Sequence, residues 1–427
     1  MLLGRIVEEV VRTDGRRVLA GLIRLTGDFD AAEDALQEAY ARALAVWHRD
    51  GVPATPGAWL NTVARRIAID RLRRDRHTAL PDDVEAPPAH IEEQSAIEDD
   101  RLRLLFTCCH PALAPEAQCA LALRTLGGLT TREIARGFVE PESTTAQRLV
   151  RAKRKIREAG IPYEVPPLVK LPERIDTVLG VLYLIFNEGY SATDDSLLRP
   201  NLMVEATRLA RLSAELLPAD AEARGLLALM LLTDARRAAR LTAQGDLVPL
   251  EGQDRALWNR AQIDEGVRIL DDALAMRRPG PYQTQAAIAA LHSTAATAGD
   301  TDWPQIAALY QALLRQTPTP IVELNAVVAL GMASGVSHAL EGIARIEARG
   351  DLARYHLLPA AKADVLRRLG RPAEAALAYR AALALVTNPA ERRYLEKRVS
   401  ECETGGHDRP KCTSNPHDSR PHPGRSI

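Results

Sequence analysis

Apolar side chains recur at helical spacing along almost the whole chain, and this periodicity is the strongest constraint on its fold. Between residues 36 and 47 they fall at i, i+4, i+7, i+8 and i+11, which is one face of a helix: Leu36, Tyr40, Ala43, Leu44 and Trp47. Aromatic residues make up 4% of the 427 residues, and such a composition favours helix over strand. The sequence therefore predicts an all-α fold.

Proline-rich joints divide the chain into three helical units. The order of Leu369, Gly370, Tyr379 and Pro389 near the end resembles a tetratricopeptide repeat, so the third unit is predicted to be an α-helical, tetratricopeptide-like array. We expect the following division: a first unit at 1–75, a linker at 76–100, a second unit at 101–160, a linker at 161–172, the helical array at 173–400 and a disordered tail at 401–427.

Residues 129–155 have the pattern of a helix-turn-helix. Thr130 and Glu133 form a capping box that opens a short helix, and Ser143 or Thr144 is expected to cap the helix that follows. In that second helix one face is apolar, and the opposite face presents Gln147, Arg151 and Arg154 with Arg148 beside them. Arginine and glutamine can bond base edges in the major groove, so this helix is predicted to contact DNA unless it is simply a solvated basic face.

A second basic helix is predicted over residues 60–76. The helical repeat places Arg66, Asp70 and Arg73 on one face, with Arg65 at its edge. The chain as a whole carries a net charge of −1, but residues 148–157 hold six basic side chains and no acidic one, and residues 65–76 hold six arginines against Asp70 and Asp75. Such a local concentration is typical of a nucleic-acid-binding surface, although a charge run of this kind also occurs on solvated helix faces.

The order of these elements resembles the two-domain core of the extracytoplasmic-function (ECF) RNA polymerase σ factors. The resemblance covers about the first 160 residues, and three stretches carry it: DAAEDALQE at 30–38, WLNTVARRIAIDRLRR at 59–74 and LTTREIARGFVEPESTTAQRLVRA at 129–152. It implies that the first unit is σ domain 2, that the second is σ domain 4, and that the protein directs core polymerase to promoters and assists their melting.

The resemblance also implies three binding surfaces. The polymerase β′ coiled coil would be met by Asp34, Gln37 and Glu38, and the β subunit is a further expected partner. The −10 promoter element would be handled by Trp59, Arg65, Arg66, Asp70, Arg73 and Arg74. The −35 element would be read by Thr144, Gln147, Arg148, Arg151 and Lys155. Arg66 and Ala146 depart from the residues common in the family, so promoter sequence cannot be carried over.

The remaining residues resemble the σ subgroup with a C-terminal tetratricopeptide-like extension. Short sequence segments such as TCCHP at 107–111 and DTDWP at 300–304 carry this resemblance. Because the joint at 161–172 is short, the array is expected to contact the σ core and to regulate it. The closely spaced Cys108, Cys109 and Cys119 lack a usual zinc spacing, as do the histidines of the tail with Cys412. We expect buried structural cysteines and neither metal nor cofactor.

Two other functions compete with that of a σ factor. A one-component regulator would join a helix-turn-helix to a helical sensor and act without polymerase, but it would need neither the acidic helix nor the basic helix of residues 28–74. An enzyme is not expected, because the sequence has no phosphate loop, nucleophile elbow or convincing metal motif. Without a signal peptide or an apolar run of membrane length, a cytoplasmic location and no membrane contact are expected.

Overall fold

The structure is a computed structural model, and it describes residues 10, 14–75, 93–137, 140–167, 169–170, 172–190 and 198–404. Throughout these residues the chain is helical, with one isolated bridge between Leu241 and Leu247, which confirms the predicted all-α class. The helices are α1 Gly15–Thr26, α2 Phe29–Asp50, α3 Pro56–Asp75, α4 Glu93–Cys108, α5 Pro115–Thr125, α6 Thr131–Gly137, α7 Glu142–Glu158, α8 Pro172–Tyr190, α9 Pro200–Leu216, α10 Ala221–Asp234, α11 Arg260–Ala275, α12 Pro281–Thr294, α13 Trp303–Gln316, α14 Pro320–Ser334, α15 Val336–Arg349, α16 Leu357–Arg368, α17 Pro372–Leu383 and α18 Pro389–Glu403.

Helices α1–α3 form the first unit. The Asp28 side chain caps α2 by accepting hydrogen bonds from the backbone N–H groups of Asp30 and Ala31, at 2.8 and 2.9 Å. Trp47 of α2 is 3% exposed and meets Trp59 of α3 edge to face, with 5.4 Å between ring centroids.

One predicted core position of α2 was wrong. Leu44 was expected to face inward, but it is 47% exposed. The buried stripe instead steps from Leu36 through Ala39 and Ala43 to Trp47, at spacings of three and four residues. Leu44 lies about 100° around the helix from Ala43, and that rotation takes its side chain off the packed stripe.

Helices α4–α7 form the second unit, which contains the helix-turn-helix. The capping box at the start of α6 is present, because the backbone N–H of Thr130 donates to the Glu133 carboxylate and that of Glu133 donates to the Thr130 hydroxyl. The predicted cap of α7 was wrong. Pro141 is the N-cap residue, and its side chain makes no hydrogen bond. Its extended backbone starts the helix at Glu142, so Ser143 and Thr144 already lie inside the helix.

The joint between the second unit and the C-terminal region is packed against both of the first two units. The hydroxyl of Tyr163 donates to the carbonyl oxygens of Ala20 in α1 and Asp100 in α4, at 3.0 and 2.7 Å. The Asp100 side chain is itself buried and pairs with Arg103 at 3.0 Å and with Arg24 at 3.4 Å. One apolar core continues without interruption from α1 to α10.

Helices α8–α18 make up the C-terminal region, and consecutive helices pack on one another along most of it. At the closest approach of α10 to α12, a Cβ on Gly225 would lie 2.8 Å from the backbone nitrogen of Gln283. The Glu222 carboxylate accepts from the backbone N–H groups of Tyr282 and Gln283, at 2.8 and 3.1 Å, and so fixes the start of α12. The tetratricopeptide-like character of the region stays a prediction.

Two helix ends lie inside segments that were expected to be irregular. Helix α4 begins at Glu93, within the predicted 76–100 linker, and α18 ends at Glu403, within the predicted 401–427 tail. The rest of that linker up to residue 92, and the tail from residue 405 onward, lie outside the described residues.

Removing the Tyr163 hydroxyl tests the joint between the units. The Y163F variant should lower the free energy of unfolding by about 1–2 kcal/mol, because two buried carbonyl oxygens lose their shared donor. Denaturant titration followed by circular dichroism measures the change. The matched control is Y310F, since the Tyr310 hydroxyl makes no hydrogen bond to any residue that the structure describes. Equal stability of Y163F and Y310F would show that this hydroxyl does not hold the units together.

Candidate nucleic-acid interface

The acidic face of α2 carries the three predicted polymerase-binding residues, which differ in their exposure and in their ion-pair partners. The Asp34 side chain is 72% exposed, and Gln37 is exposed as well. Glu38 accepts from Arg42 at 2.6 Å and from Arg71 of α3 at 2.8 Å, and these two guanidinium groups hold the pKa of its carboxyl below the usual value. Glu38 is therefore part of an ion-pair network between α2 and α3.

Arg71 was missed by the sequence reasoning, although a signal for it exists. It follows Ile67 by four residues, so it continues the buried stripe of α3 toward α2. A basic residue at the inner edge of an amphipathic helix indicates an acidic partner on the helix packed against it. Here that partner is Glu38, with Asp34 at 3.5 Å.

The predicted −10 residues of α3 lie on its outer face, with one exception. Exposed positions are held by Arg65, Arg66, Asp70, Arg73 and Arg74. Arg65, Arg66 and Arg73 have no ion-pair or hydrogen-bond partner among the described residues, so their charges are available to a ligand. Trp59 is the exception, because it is half-buried and packs on Trp47.

The predicted −35 residues of α7 divide into exposed and engaged side chains. Thr144, Gln147, Arg151 and Lys155 are exposed. The buried face holds Thr145, Leu149, Ala152 and Ile156, as the periodicity predicted. The structure thus brings Gln147, Arg151 and Lys155 together as an outward stripe with a spacing of four residues.

Arg148 is the engaged member of the set. Its guanidinium forms a bidentate ion pair with Glu140 in the turn before α7, and one of the two bonds measures 2.6 Å. The Thr145 hydroxyl donates to the same carboxylate at 2.5 Å. The hydrogen bonds from the Arg148 guanidinium and the Thr145 hydroxyl lower the pKa of the Glu140 carboxyl. In this arrangement Arg148 fixes the turn onto the helix and does not point freely to solvent.

The other side of α7 faces the acidic start of α2. The side chain of Lys153 is 13% exposed. Its Nζ atom lies 2.8 Å from Oε2 of Glu33 and 3.2 Å from Oδ1 of Asp30. One turn further on, Arg157 lies 3.0 Å from Asp28. Burial acts to raise the pKa of Asp28, but the backbone N–H of Ala31 and the guanidinium of Arg157 outweigh it, so the pKa is lowered.

These contacts leave a cleft of about 490 Å³ between the first and second units. Asp34 and Gln37 of α2 line one wall, and Arg124 and Gly128 of the second unit line the other. Gly128 has a left-handed backbone (φ 66°), and a Cβ there would lie 2.6 Å from Nε of Arg16. Asp34 and Gln37, two of the predicted polymerase-binding residues, therefore line a cleft between the two units.

Ion pairs also join the second unit to the helices that follow it. Arg101 of α4 lies 2.6 Å from Glu205 of α9, with both side chains 13% exposed. Glu133 of the helix-turn-helix lies 2.7 Å from Arg199 at the start of α9. Arg174 of α8 donates to the carbonyl oxygen of Phe106 at 2.5 Å.

The cysteines of the second unit lie inside its core. Cys108 and Cys109 are buried, and the Sγ of Cys108 is 3.5 Å from the Thr125 hydroxyl oxygen. Burial raises the pKa of the Cys108 thiol to about 12, so the thiolate is not formed near neutral pH. No group of histidine, cysteine and acidic side chains within the described ranges is arranged to hold a metal ion. The histidines of the tail, and Cys412, lie outside those ranges.

Three known families match successive parts of the chain. Sigma-70 region 2 matches residues 10–78, which contain α1–α3, and Sigma-70, region 4 matches residues 103–156, which contain most of α4–α7. A family of unknown function, DUF6596, matches residues 174–274 in the C-terminal region. Across the described part of the chain, no helix is both long and apolar enough to cross a membrane.

The chain is 44% identical over 394 residues to the uncharacterized protein R00370 of Rhizobium meliloti, which covers 90% of this chain and 92% of that protein. It is 29% identical over 155 residues to the ECF RNA polymerase sigma factor SigE of Mycolicibacterium smegmatis, covering 35% of this chain and 60% of SigE. It is 30% identical over 152 residues to the probable ECF RNA polymerase sigma factor SigI of Mycobacterium tuberculosis, covering 34% of this chain and 52% of SigI.

No solved structure matches the chain. The likeness to the named sigma factors covers about a third of the sequence, whereas the likeness to R00370 covers 90% of it. The chain therefore belongs to the same family as R00370, and it joins Sigma-70 regions 2 and 4 to a helical C-terminal region that includes the DUF6596 domain.

Proposed function

We propose that the protein is an RNA polymerase σ factor of the ECF type, which recruits core polymerase to specific promoters and assists their melting. The observation that carries this proposal is the coincidence of the two Sigma-70 matches with the two exposed basic helix faces, on α3 and α7. The ECF sigma factors among its relatives support the same function. The protein would act as a binding subunit in the cytoplasm, without chemistry of its own.

In this proposal polymerase binds the acidic face of α2. Asp34 and Gln37 are the exposed members of that face and would meet the β′ coiled coil directly. Glu38 is held by Arg42 and Arg71, so its charge is largely compensated within the first unit. Glu38 would therefore contribute mainly by orienting α2 against α3, and less by direct contact.

The two basic helices would divide the promoter between them. Arg65, Arg66 and Arg73 on α3 have no partner in the described part of the chain, and they suit the phosphates and displaced bases of a melting −10 element. Trp59, by its packing on Trp47, would orient the start of α3 against α2. Arg74 and Asp70 would complete the −10 surface from the same exposed face.

On α7, Gln147 and Arg151 would read base edges in the −35 groove, with Thr144 and Lys155 on the phosphates. Arg148 needs a different role, because its guanidinium already forms a bidentate pair with Glu140. A new contact from Arg148 to DNA would have to replace that pair. We therefore assign Arg148 to holding the turn, with Arg151 as the principal reader of the groove.

The C-terminal region would regulate this σ core. The ion pairs from Arg101 to Glu205 and from Glu133 to Arg199 support the idea that α9 holds the second unit in place. Lys153 and Arg157 hold α7 against α2, where Asp34 and Gln37 look into the cleft. A closed arrangement of this kind competes with polymerase for α2, so the units must separate when polymerase binds.

Substitutions on the two basic helices test the proposed division of DNA contacts. R151A should weaken binding to a −35 duplex by about 1–3 kcal/mol, because a base contact is lost. R148A should cost less, because its charge is already neutralised by Glu140. The R66A/R73A variant should keep duplex binding but fail to open the −10 region, as followed by permanganate reactivity of unpaired thymines.

The matched control for these variants is R268A, which removes an arginine that is 67% exposed on α11, far along the chain from both basic helices. Binding is measured by fluorescence anisotropy at several salt concentrations, since lost phosphate contacts reduce the salt dependence. Identical affinities of R151A and R268A would contradict the assignment of α7. Normal −10 opening by R66A/R73A would contradict the assignment of α3.

The contact between α7 and α2 is tested with K153A. This variant loses the pairs to Glu33 and Asp30, so the closed arrangement should weaken and the affinity for core polymerase should rise about two- to fivefold. The control is K155A, which removes a neighbouring lysine that is exposed and has no partner among the described residues. Both are measured with core polymerase in the absence of DNA. If K153A bound polymerase no more tightly than K155A, the closed arrangement would not restrain docking.

A further inference from the structure

The C-terminal region contains a buried arginine that has no partner among the described residues. Arg236 directly follows α10 and is 8% exposed. Its Nε is sealed from solvent and has no hydrogen-bond acceptor, and the guanidinium forms no ion pair or hydrogen bond with any residue that the structure describes. Arginine does not lose its proton in proteins, so a full positive charge is held inside the fold.

The groups around Arg236 add positive charge and do not cancel it. Arg240 lies over the ring of Tyr190, with its guanidinium carbon 3.7 Å from the ring centroid, and its Nε is also buried without an acceptor. Burial lowers the pKa of Arg236; Tyr190 acts in the opposite direction, and the nearby guanidinium groups of Arg240 and Arg255 add to the lowering. The described surroundings therefore present several arginines to one small region.

Arg255 and His292 form the far side of this region. Arg255 stacks over Trp258 at 4.4 Å and donates to the carbonyl oxygens of His292 and Ala295, both at 2.9 Å. Burial, with Arg236 and Arg255 nearby, lowers the pKa of His292 to about 4. The imidazole is therefore neutral at pH 7 and keeps its hydrogen-bonding capacity without adding charge.

Asp234 lies two residues before Arg236 and Asp300 acts on Arg255, and both have partners of their own, although Oδ1 of Asp234 is buried without a hydrogen bond. Asp234 pairs with Arg237 at 3.4 Å and accepts from Gln262 at 2.9 Å. Asp300 accepts from the backbone and side chain of Thr297, at 2.9 and 2.8 Å. An uncompensated charge in such a setting costs several kcal/mol, so a counter-ion is expected to accompany it.

We propose that Arg236 and Arg240, beside the Tyr190 ring, form a binding site for a small oxyanionic ligand that carries a phosphate or a carboxylate group. The planar guanidinium matches both groups through paired N–H donors, and both arginines have unused nitrogens. The site lies at the junction of α8, the end of α10 and α12. It belongs to the C-terminal region and does not depend on the σ-factor function.

The test measures the thermal stability of the full chain against inorganic phosphate and, separately, malonate, with sodium chloride at matched ionic strength as the reference. A ligand that binds the folded state stabilises it, so saturating anion should raise the melting temperature by roughly 2–4 °C. A response to phosphate alone identifies a phosphate site, and a response to malonate alone identifies a carboxylate site. R236M and R240Q should both lose the response, whereas the surface variant R268Q should keep it.

R236M also separates a ligand site from a structural arginine. Replacing an unpaired buried charge with an apolar side chain should leave the melting temperature in chloride equal to or above that of the parent protein. A response that persists in both R236M and R240Q would overturn the proposal, as would the lack of any response in the parent. Asp194 and Asp195 lie outside the described residues, so D194N/D195N is measured too. An anion response confined to that variant would identify an internal counter-ion and overturn the proposal.

Discussion

One apolar core extends without interruption from α1 to α10, and packing in it sets the positions of the helices that it joins. It places the first two helical units and the start of the C-terminal region against one another. The joint after α7 is tied into this core by Tyr163, whose hydroxyl reaches carbonyl oxygens of both α1 and α4. Because the units share buried surface, the orientation of the two basic helices is set by packing and not by linker length.

Ion pairs between the units stabilise this arrangement further, each by a modest free energy. Helix α7 exposes Gln147 and Arg151 on one face, and on another face Lys153 and Arg157 pair with the acidic start of α2. Ion pairs near a protein surface contribute about 0.2–1 kcal/mol each, so a partner of moderate affinity can replace them. These ion pairs therefore adjust an arrangement whose main support is the shared apolar core.

The sequence was sufficient for features that depend on local periodicity. The capping box of Thr130 and Glu133 and the buried face of α7 were both predicted, because residues three and four apart meet on one helix regardless of the rest of the fold. The exposed stripe on α7 was predicted for the same reason. Leu44 was the failure of this kind, since its nominal helical spacing did not match the stripe that α2 buries.

Contacts between distant segments could not be predicted. Arg71 meets Glu38 across 33 residues, and Lys153 meets Glu33 across 120, so each pair depends on how whole helices pack. The pairing of Arg148 with Glu140 depended on the geometry of a turn that periodicity does not determine. The unpartnered Arg236 was also missed, because a single arginine after an apolar helix looks like any solvated residue in the sequence.

A reconstituted transcription assay distinguishes a σ factor from a DNA-binding protein that acts without polymerase. Purified full-length protein is added to core RNA polymerase from its source organism, and transcripts from genomic DNA fragments are sequenced at their 5′ ends. A σ factor will initiate at defined positions that share upstream −10 and −35 sequences, and D34K, at an exposed predicted docking residue, will abolish these transcripts. The matched surface variant D272K should retain them. Failure of the full-length protein to bind core polymerase, together with sequence-specific DNA binding on its own, would contradict the account and indicate a one-component regulator.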